Sequence, residues 1–325
     1  MRRVGIVGAG MTGLTAAAEL QKEGIEVFLL DKGKSVGGRM ATRRVGDGKA
    51  DHGAQFFTVR SDEFQQDVNK WIADRKVKKW FGDHHPRYQS MNGMNALAKY
   101  LAEDLRVYVN RKVKAIDFQN GKYQLYTEEN QIFEATDIIL TPPSPQVIEV
   151  LNNSKLQADH SILNTLKFSP CLVAIVEFYT EMLYSDHGQI TNPSSTIQRI
   201  VNHEQKGISK TPVLSIYMNK DWSEKHFDEH EHELLRAIKN EIKEWIGANH
   251  IKSIQLKKWR YAEVEQVLHQ PFAEIMPSLL VAGDAFLRRE DETNHSRLES
   301  AYLSGKSAAA ELMGKEHLEK GGTKK

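Results

Sequence analysis

A glycine-rich turn near the start of the chain constrains the fold more than any other feature. A short apolar run at residues 3–8 predicts a buried strand, which leads into the pattern Gly-x-Gly-x-x-Gly at Gly8, Gly10 and Gly13. The first glycine permits a tight turn, the second lets the backbone approach a pyrophosphate, and the third lets a helix pack closely on the strand. The free N–H groups at the start of that helix favour a bound phosphate.

The residues that follow complete a β-α-β unit. Residues 11–23 are rich in helix formers, and residues 25–30 form a second apolar run that ends at Asp31. A carboxylate in this place can accept hydrogen bonds from an adenosine ribose. The unit therefore predicts a dinucleotide site in a Rossmann-type α/β fold. Further candidate cofactor contacts in this unit are Met11, Thr12 and Lys32.

Two further segments favour FAD over NAD. Gly38 and Arg39 follow the acidic residue and predict a second phosphate contact, because a guanidinium binds phosphate oxygens bidentately. Near the other end, an apolar run ends in Gly283 and Asp284, which places a carboxylate where a ribityl hydroxyl can bind. A helix predicted from residue 296 points its positive N-terminal end towards the flavin.

Composition limits the class of protein. The 325 residues are 40% hydrophobic and 27% charged, which is typical of a soluble globular protein. The 44 basic and 43 acidic residues give a net charge of +1, so no one-sided field favours nucleic acid. The single cysteine, Cys171, excludes an internal disulfide and a cysteine-based metal cluster, and we expect no metal. The cysteine count also favours a reducing, cytoplasmic setting. No run reaches the ~18 apolar residues of a membrane span, so we expect a soluble, unprocessed protein.

The order of the elements predicts two domains. Nucleotide-binding elements lie at both ends of the chain with strand-rich sequence between them. We therefore expect a discontinuous Rossmann-type FAD-binding domain with an inserted α+β substrate domain. The predicted bounds are 1–60, 90–150 and 275–318 for the first, 61–89 and 151–274 for the second, and 319–325 for a mobile tail. Periodic apolar residues also predict helices at 61–80 and 227–246.

The chain resembles the flavin amine-oxidase superfamily and, within it, the renalase-like proteins. The resemblance rests on the motifs at residues 37–40, 51–58, 141–142, 189–193, 258–261 and 283–286. It implies an amine oxidase/p-hydroxybenzoate hydroxylase-like fold that holds FAD non-covalently. One departure is the segment 287–295, which is longer and more charged than is usual in the family and affects the contacts expected at the flavin pyrimidine edge.

The resemblance also implies a reaction and a set of site residues. Renalase-like proteins oxidise 2- and 6-dihydro isomers of NAD(P): hydride passes to flavin N5, and the electrons reduce O2 to H2O2. The catalytic candidates are Gln55, Phe56, Trp259, Tyr261 and Asn192. The further cofactor contacts are Met40, Gly53, Ala54, Gln55, Val113, Thr141, Pro142, Arg297, Leu298 and Ser300. For Gln55 and Arg260, a substrate contact and a structural role both stay open.

Three alternative functions remain open. An oxidase of small primary or secondary amines would need an aromatic cage beside the flavin. A flavin-bound sensor without turnover would use the charged segment 287–295 for a partner. An NAD-only dehydrogenase would lack flavin altogether.

Overall fold

The structure is a computed structural model that describes residues 2–180, 185–245 and 251–321. In chain order the strands are β1 Arg3–Val7, β2 Glu26–Leu30, β3 Thr42–Val45, β4 Gly48–Asp51, β5 Val77–Phe81, β6 Arg87–Ser90, β7 Val107–Tyr108, β8 Val113–Gln119, β9 Lys122–Thr127, β10 Ile132–Ala135, β11 Asp137–Leu140, β12 Lys167–Phe178, β13 Gln189–Thr191, β14 Ile197–Asn202, β15 Val213–Met218, β16 Ile251–Gln266, β17 Ala273–Met276 and β18 Leu279–Val281. The α-helices are α1 Met11–Lys22, α2 Asp62–Ala73, α3 Met94–Leu101, α4 Ser144–Asn152, α5 Lys220–His226, α6 Glu231–Glu241 and α7 Leu298–Gly321. A single 3-10 turn covers Ser161–Thr165 among the residues described.

A six-stranded sheet carries the glycine-rich turn. Its strand order is β17-β18-β11-β1-β2-β7, and all neighbours are parallel except β17 and β18. Because the carboxyl ends of its parallel strands lie along one edge, the turn after β1, the end of β2 and the end of β18 come together there. This is the Rossmann-like α/β architecture that the sequence predicts.

Helix α1 packs between this sheet and α7. Its buried face carries Leu14, Ala17 and Leu20, which belong to one apolar cluster with residues of α7. The two helices approach closely at Gly305, where a Cβ would stand 2.4 Å from the carbonyl oxygen of Thr12. Only glycine permits this approach, and it fixes the last helix against the first.

A five-stranded antiparallel sheet forms the second layer, in the order β13-β14-β15-β12-β16. One face packs on α6 through an apolar cluster that includes Ile216 and Leu234. The ladder between β12 and β16 is interrupted opposite Pro170, where three residues of β16 face a single residue of β12. Proline has no N–H to donate to the ladder, so a bulge at this position is the expected result.

Two predicted helices are shorter than the sequence pattern indicates. Helix α2 ends at Ala73 because Arg75 adopts a left-handed backbone conformation (φ 55°), and the chain continues as β5 instead of helix. The helix predicted at 227–246 is shorter at both ends. Helix α6 begins after its N-cap residue His230 and ends at Glu241.

The last helix overlaps the start of the predicted tail at 319–325. Helix α7 continues to Gly321, and residues 322–325 lie outside the described residues. Within the described ranges, no helix is both long and apolar enough to cross a membrane. The predicted domain bounds remain a prediction.

Candidate functional site

The turn after β1 has the geometry that its glycines predict. Gly8 has a φ of +100°, and a Cβ there would stand 2.4 Å from Oγ1 of Thr141. That hydroxyl donates to the carbonyl of Val7 at 2.8 Å, so the end of β11 is fixed to the turn. At Gly13 a Cβ would stand 2.0 Å from the carbonyl oxygen of Gly8. The turn and the first helical residues therefore form one tight unit, as a phosphate-binding loop requires.

Open space lies beside the second glycine of the motif. A Cβ at Gly10 or at Gly283 would meet no heavy atom within 4 Å, and one at Gly38 would stand 3.7 Å from the Cα of Gly10. Helix α1 begins directly after Gly10 without a side-chain cap, which leaves its first N–H groups for a ligand. Three glycines around open space at a helix N-terminus fit the pyrophosphate of a dinucleotide.

Asp31 stands at the end of β2, next to this space. Its carboxylate accepts hydrogen bonds from the backbone N–H of Ala9 at 2.7 Å and of Gly33 at 2.6 Å. Each of these bonds uses one lone pair of an oxygen atom, and a carboxylate offers about four acceptor positions. The carboxylate is therefore held in place with capacity left for a ribose hydroxyl, and that contact remains a prediction.

Arg39 and Asp284 form a bidentate ion pair. The guanidinium donates to the two carboxylate oxygens at 2.8 and 2.6 Å across 245 residues of sequence. The structure thus brings together the residue predicted to bind phosphate and the residue predicted to bind ribityl. It also shows a partner that neither prediction included, since the two side chains already bind each other.

The other predicted cofactor contacts lie in two groups. One group lies around the glycine turn and β8. Its side chains are largely buried, so it offers a cofactor mainly backbone atoms. Its members are Met11, Thr12, Met40, Pro142 and Val113. The second group lies at the start of α7, where Arg297 donates to Asp291, and Ser300 accepts from the N–H of Arg297. Lys32 donates to Gln146 at 2.6 Å. Leu298 is half-buried.

A buried ion pair supports the segment from Asp51 to Phe56. Lys206 Nζ donates to the Asp51 carboxylate at 2.8 Å, and both side chains are 0% exposed. The same ammonium donates to the backbone carbonyl of Gln55 at 2.7 Å and to its Oε1 at 2.9 Å. The second Asp51 oxygen accepts from Thr42 and from the N–H of Met94. This network fixes the backbone of the Gly53–Ala54–Gln55 segment.

Charges in this network shift the pKa values of its members. Burial opposes ionisation of Asp51, but Lys206 and then His203 hold the pKa of that carboxyl below its usual value. Burial lowers the pKa of His203 to about 3, aided by the Lys206 charge. Burial also lowers the pKa of His52 to about 4, with Lys257 as the second cause. Both imidazoles are therefore neutral at physiological pH.

Tyr217 connects the five-stranded sheet to the same segment. Its hydroxyl donates to the carbonyl of Gly53 at 2.9 Å and accepts a hydrogen bond from the Gln55 side-chain amide. The Gln55 side chain is buried and has partners at both ends. The structure thus favours a structural role for Gln55, whose side chain connects Tyr217 and Lys206. Its contact with substrate remains a prediction.

Of the two aromatic candidates on β16, Trp259 lies against this segment. Its Nε1 donates to the carbonyl of His52 at 2.7 Å, and the two rings stack with centroids 5.3 Å apart. Residues two apart on a regular strand share one face, but Tyr261 lies in the bulge opposite Pro170. The Tyr261 ring packs edge-on against Phe168.

Two predicted polar contacts lie at the surface. Asn192 is exposed at the turn between β13 and β14, where its backbone N–H donates to the carbonyl of Gln198. Arg260 pairs with Asp228 and lies over the ring of Phe227, which accounts for it structurally. The catalytic role of Asn192 remains a prediction.

Phe56 is half-buried in an aromatic cluster with Trp80 and Phe81, whose ring centroids lie 6.1 and 6.2 Å from its own. Two arginines flank this ring: the guanidinium of Arg199 lies 5.3 Å from its centroid and that of Arg87 lies 5.9 Å away. The cluster thus combines aromatic rings with positive charge.

Sequence reasoning missed three residues of this region: Lys206, Tyr217 and Arg199. Lys206 follows a strand by four residues, and nothing local marks it as buried. Tyr217 and Arg199 lie in predominantly apolar strands, and a polar or amphipathic residue inside such a strand is the one signal that the sequence offered.

Comparison with family profiles identifies two regions. Residues 6–71 match an NAD(P)-binding Rossmann-like domain. Residues 64–313 match the flavin containing amine oxidoreductase family, and this match covers well over half of the chain.

Individual relatives are more distant. Renalase of Mus musculus is 30% identical over 173 residues, which cover 46% of this chain and 49% of renalase. An L-amino-acid oxidase of Crotalus adamanteus is 26% identical over 189 residues, 51% of this chain and 36% of that protein. The chain therefore matches about half of renalase and about a third of the oxidase.

Solved structures show the same fold over nearly the whole chain. A structure described as a candidate protoporphyrinogen oxidase of Exiguobacterium superposes with a TM-score of 0.69 at 14% identity, covering 96% of this chain and 98% of that one. A cofactor-binding variant of putrescine oxidase gives 0.70 at 12% identity, covering 97% and 99%. At these identities the likeness concerns the fold alone.

Two glycine substitutions separate folding from cofactor binding. Gly13→Ala places a methyl group against a backbone carbonyl, so we expect the protein without cofactor to lose about 1–3 kcal/mol of unfolding free energy. Gly10→Ala places its methyl group in open space on an extended backbone, so stability stays unchanged while FAD affinity falls at least ~10-fold. Thermal unfolding and fluorescence titration measure the two effects. If Gly10→Ala binds FAD with normal affinity, the space beside Gly10 is not the pyrophosphate site.

Lys206→Met leaves the Asp51 carboxylate buried without its cation. We expect a loss of about 3–5 kcal/mol of unfolding free energy, measured by chemical denaturation. The double variant Lys206→Met/Asp51→Asn should recover a large part of it, because no charge stays unpaired. Lys112→Met, which removes an exposed partner of Glu128, serves as the control and should leave the melting temperature unchanged. If Lys206→Met loses no more stability than Lys112→Met, the buried network does not stabilise the fold as proposed.

Stability should fall on acidification from about pH 6.5 to about pH 4. In the unfolded chain His52 binds a proton below its usual pKa of about 6.5, whereas in the fold it stays neutral down to about pH 4. The unfolded state then binds more protons, so folding loses up to ~1.4 kcal/mol per pH unit through this residue. His52→Phe keeps the stacking on Trp259 and should reduce the pH dependence of the melting temperature, while the part due to His203 stays. If the melting temperatures of wild type and His52→Phe depend equally on pH, His52 is not a cause of the pH dependence.

Proposed function

The chain belongs to the flavin-containing amine oxidoreductase family, with FAD as its cofactor, and on that premise we propose that it is a renalase-like FAD-dependent oxidase of dihydronicotinamide isomers. The substrates proposed are the 2- and 6-dihydro forms of NAD(P). The glycine turn at Gly8, Gly10 and Gly13 and the Arg39–Asp284 pair would hold FAD. When bound, the cofactor would supply a hydride acceptor and the two electrons that, with two protons, reduce O2 to H2O2.

The charge beside Phe56 is the observation that carries this proposal. Arg87, Arg199 and Lys206 bring three positive charges to this region, and Asp51 compensates only the last of them. A reduced nicotinamide dinucleotide is an anion with a flat ring, so both the field and the aromatic surface suit it. The aligned half of renalase supports the same substrate class.

The residues near the predicted flavin end act by positioning. A hydride donor needs no general base, since the hydrogen leaves with its electron pair. What the site must supply is a fixed backbone, and Lys206, Tyr217 and Trp259 hold the segment at residues 52–55 through carbonyl contacts of 2.7–2.9 Å. The neutral state of His52 avoids one more positive charge next to Trp259.

Oxidation of a small amine is the second candidate and the less favoured. The family match and the fold of putrescine oxidase are compatible with it. The aromatic cluster around Phe56 is the cage-like feature that an amine site requires. However, the two arginines flanking this ring repel a protonated amine, and an amine substrate would need a carboxylate here.

Anaerobic mixing of the FAD-loaded protein with dihydronicotinamides tests the proposal. We expect 6-dihydro-NAD or 2-dihydro-NAD to bleach the visible flavin absorbance, and air to restore it with release of H2O2. Ordinary 4-dihydro-NAD and a panel of small amines and L-amino acids serve as comparisons in the same experiment. Failure of every 2- and 6-dihydro isomer overturns the proposal, and rapid bleaching by amines supports the second candidate. Chemical reduction alone, with no response to any small molecule, points to a flavin-bound sensor.

A further inference from the structure

Among the half-buried arginines of the described residues, Arg199 alone makes no side-chain hydrogen bond or ion pair. Arg87 and Arg111 also lack a carboxylate partner, but they donate hydrogen bonds to neutral oxygens. The Nε of Arg199 is buried without a hydrogen-bond partner, and within the described ranges no carboxylate lies at ion-pair distance from it. Four other arginines with partly buried side chains each have an acidic partner: Arg2 with Asp137, Arg39 with Asp284, Arg288 with Glu63 and Arg297 with Asp291. A guanidinium removed from water without such a partner is costly, unless a ligand supplies the acceptor.

The sheet register points Arg199 towards the site. On β14 it lies directly opposite Tyr217 of β15, and residues directly opposite in an antiparallel pair share one face. Tyr217 in turn lies opposite Val173, and its hydroxyl contacts the carbonyl of Gly53. Arg199 therefore belongs to the sheet face that covers the segment predicted to contact the flavin.

The surroundings of Arg199 favour an anion as its ligand. The guanidinium lies against the Phe56 ring, so one of its faces is shielded from water and its N–H edge is left for a partner. Asp51 already pairs with Lys206, so its carboxylate offers Arg199 no free negative charge. Glu263, the acidic residue near Cys171 on this side of the sheet, is exposed and accepts a hydrogen bond from Gln198.

We propose that Arg199 binds an oxyanion of the substrate and so selects anionic substrates over neutral ones. The planar fork of a guanidinium binds a phosphate or a carboxylate through two parallel hydrogen bonds. This inference rests on the proposed function, in which the oxyanion is a phosphate of the dihydronicotinamide dinucleotide. A carboxylate on a small amino acid offers the same chemistry, and the test distinguishes the two sources.

Arg199→Met is the variant that tests this role. With 6-dihydro-NAD as substrate we expect KM to rise about 10–100-fold and kcat to change little, because the arginine contacts a group remote from the hydride. Titration of the oxidised flavin protein with NAD+ should show a matching loss of affinity without any turnover. The phosphate-free 6-dihydronicotinamide riboside should react equally well with both proteins. An equal loss for the dinucleotide and the riboside overturns the proposal, as does no loss for either.

Arg260→Met provides the matched control. This arginine lies on the same five-stranded sheet, but it is exposed and pairs with Asp228. We expect this variant to bind and oxidise the dihydronicotinamide dinucleotide with an unchanged KM. Arg199→Lys keeps the charge but loses the fork, so its KM should lie between those of wild type and Arg199→Met. Should Arg199→Met fail to fold, the wild-type protein still decides: inorganic pyrophosphate must compete with NAD+, and a lack of competition counts against the proposal.

Two further results separate this inference from the proposed function. If L-amino acids reduce the wild-type flavin and no dihydronicotinamide does, the proposed function fails. The role of Arg199 then stands if Arg199→Met weakens an L-amino acid about 10–100-fold but spares the corresponding decarboxylated amine. If Arg199→Met instead releases FAD and leaves NAD+ affinity unchanged, the arginine serves the cofactor and the inference is wrong.

Discussion

The arrangement of the site depends on one buried ion pair. Lys206 and Asp51 lie 155 residues apart in sequence, and each is fully enclosed. An isolated charge in such a place would cost several kcal/mol, so each residue requires the other together with the carbonyl and hydroxyl groups that complete the network. Because the ammonium also binds Gln55, the pair transmits the position of the five-stranded sheet to the backbone facing the predicted flavin.

Local sequence patterns predicted the nucleotide half well, for a physical reason. Gly8, Gly13 and the strand that follows act within thirty residues, where sterics alone dictate the turn. The turn between β8 and β9 is equally local, because Asn120 and Gly121 adopt positive φ angles of 52° and 76°, which an Asn-Gly pair favours. Such features need no knowledge of distant residues, so the order and type of these elements follow from sequence.

The substrate side was less predictable because its determinants are distant in sequence. The end of α2 depends on a left-handed Arg75, and the bulge that displaces Tyr261 depends on Pro170 in a neighbouring strand. Gln55 was predicted as a site residue, but its partners Tyr217 and Lys206 lie on other elements. Strand register, which no short motif encodes, decides which side chains share the face of Arg199.

The strand order of the six-stranded sheet has a consequence for biogenesis. β18, from Leu279 to Val281, pairs with β11, and β11 pairs with β1. The middle of the sheet can therefore form completely only after residues near the end of the chain have been synthesised. Asp284 and the helix that covers α1 emerge later still. A nascent chain therefore carries the turn predicted to bind phosphate long before the sheet edge beside it exists. Until β18 emerges, one edge of β11 has no partner strand, and an unpaired strand edge favours non-native pairing and aggregation.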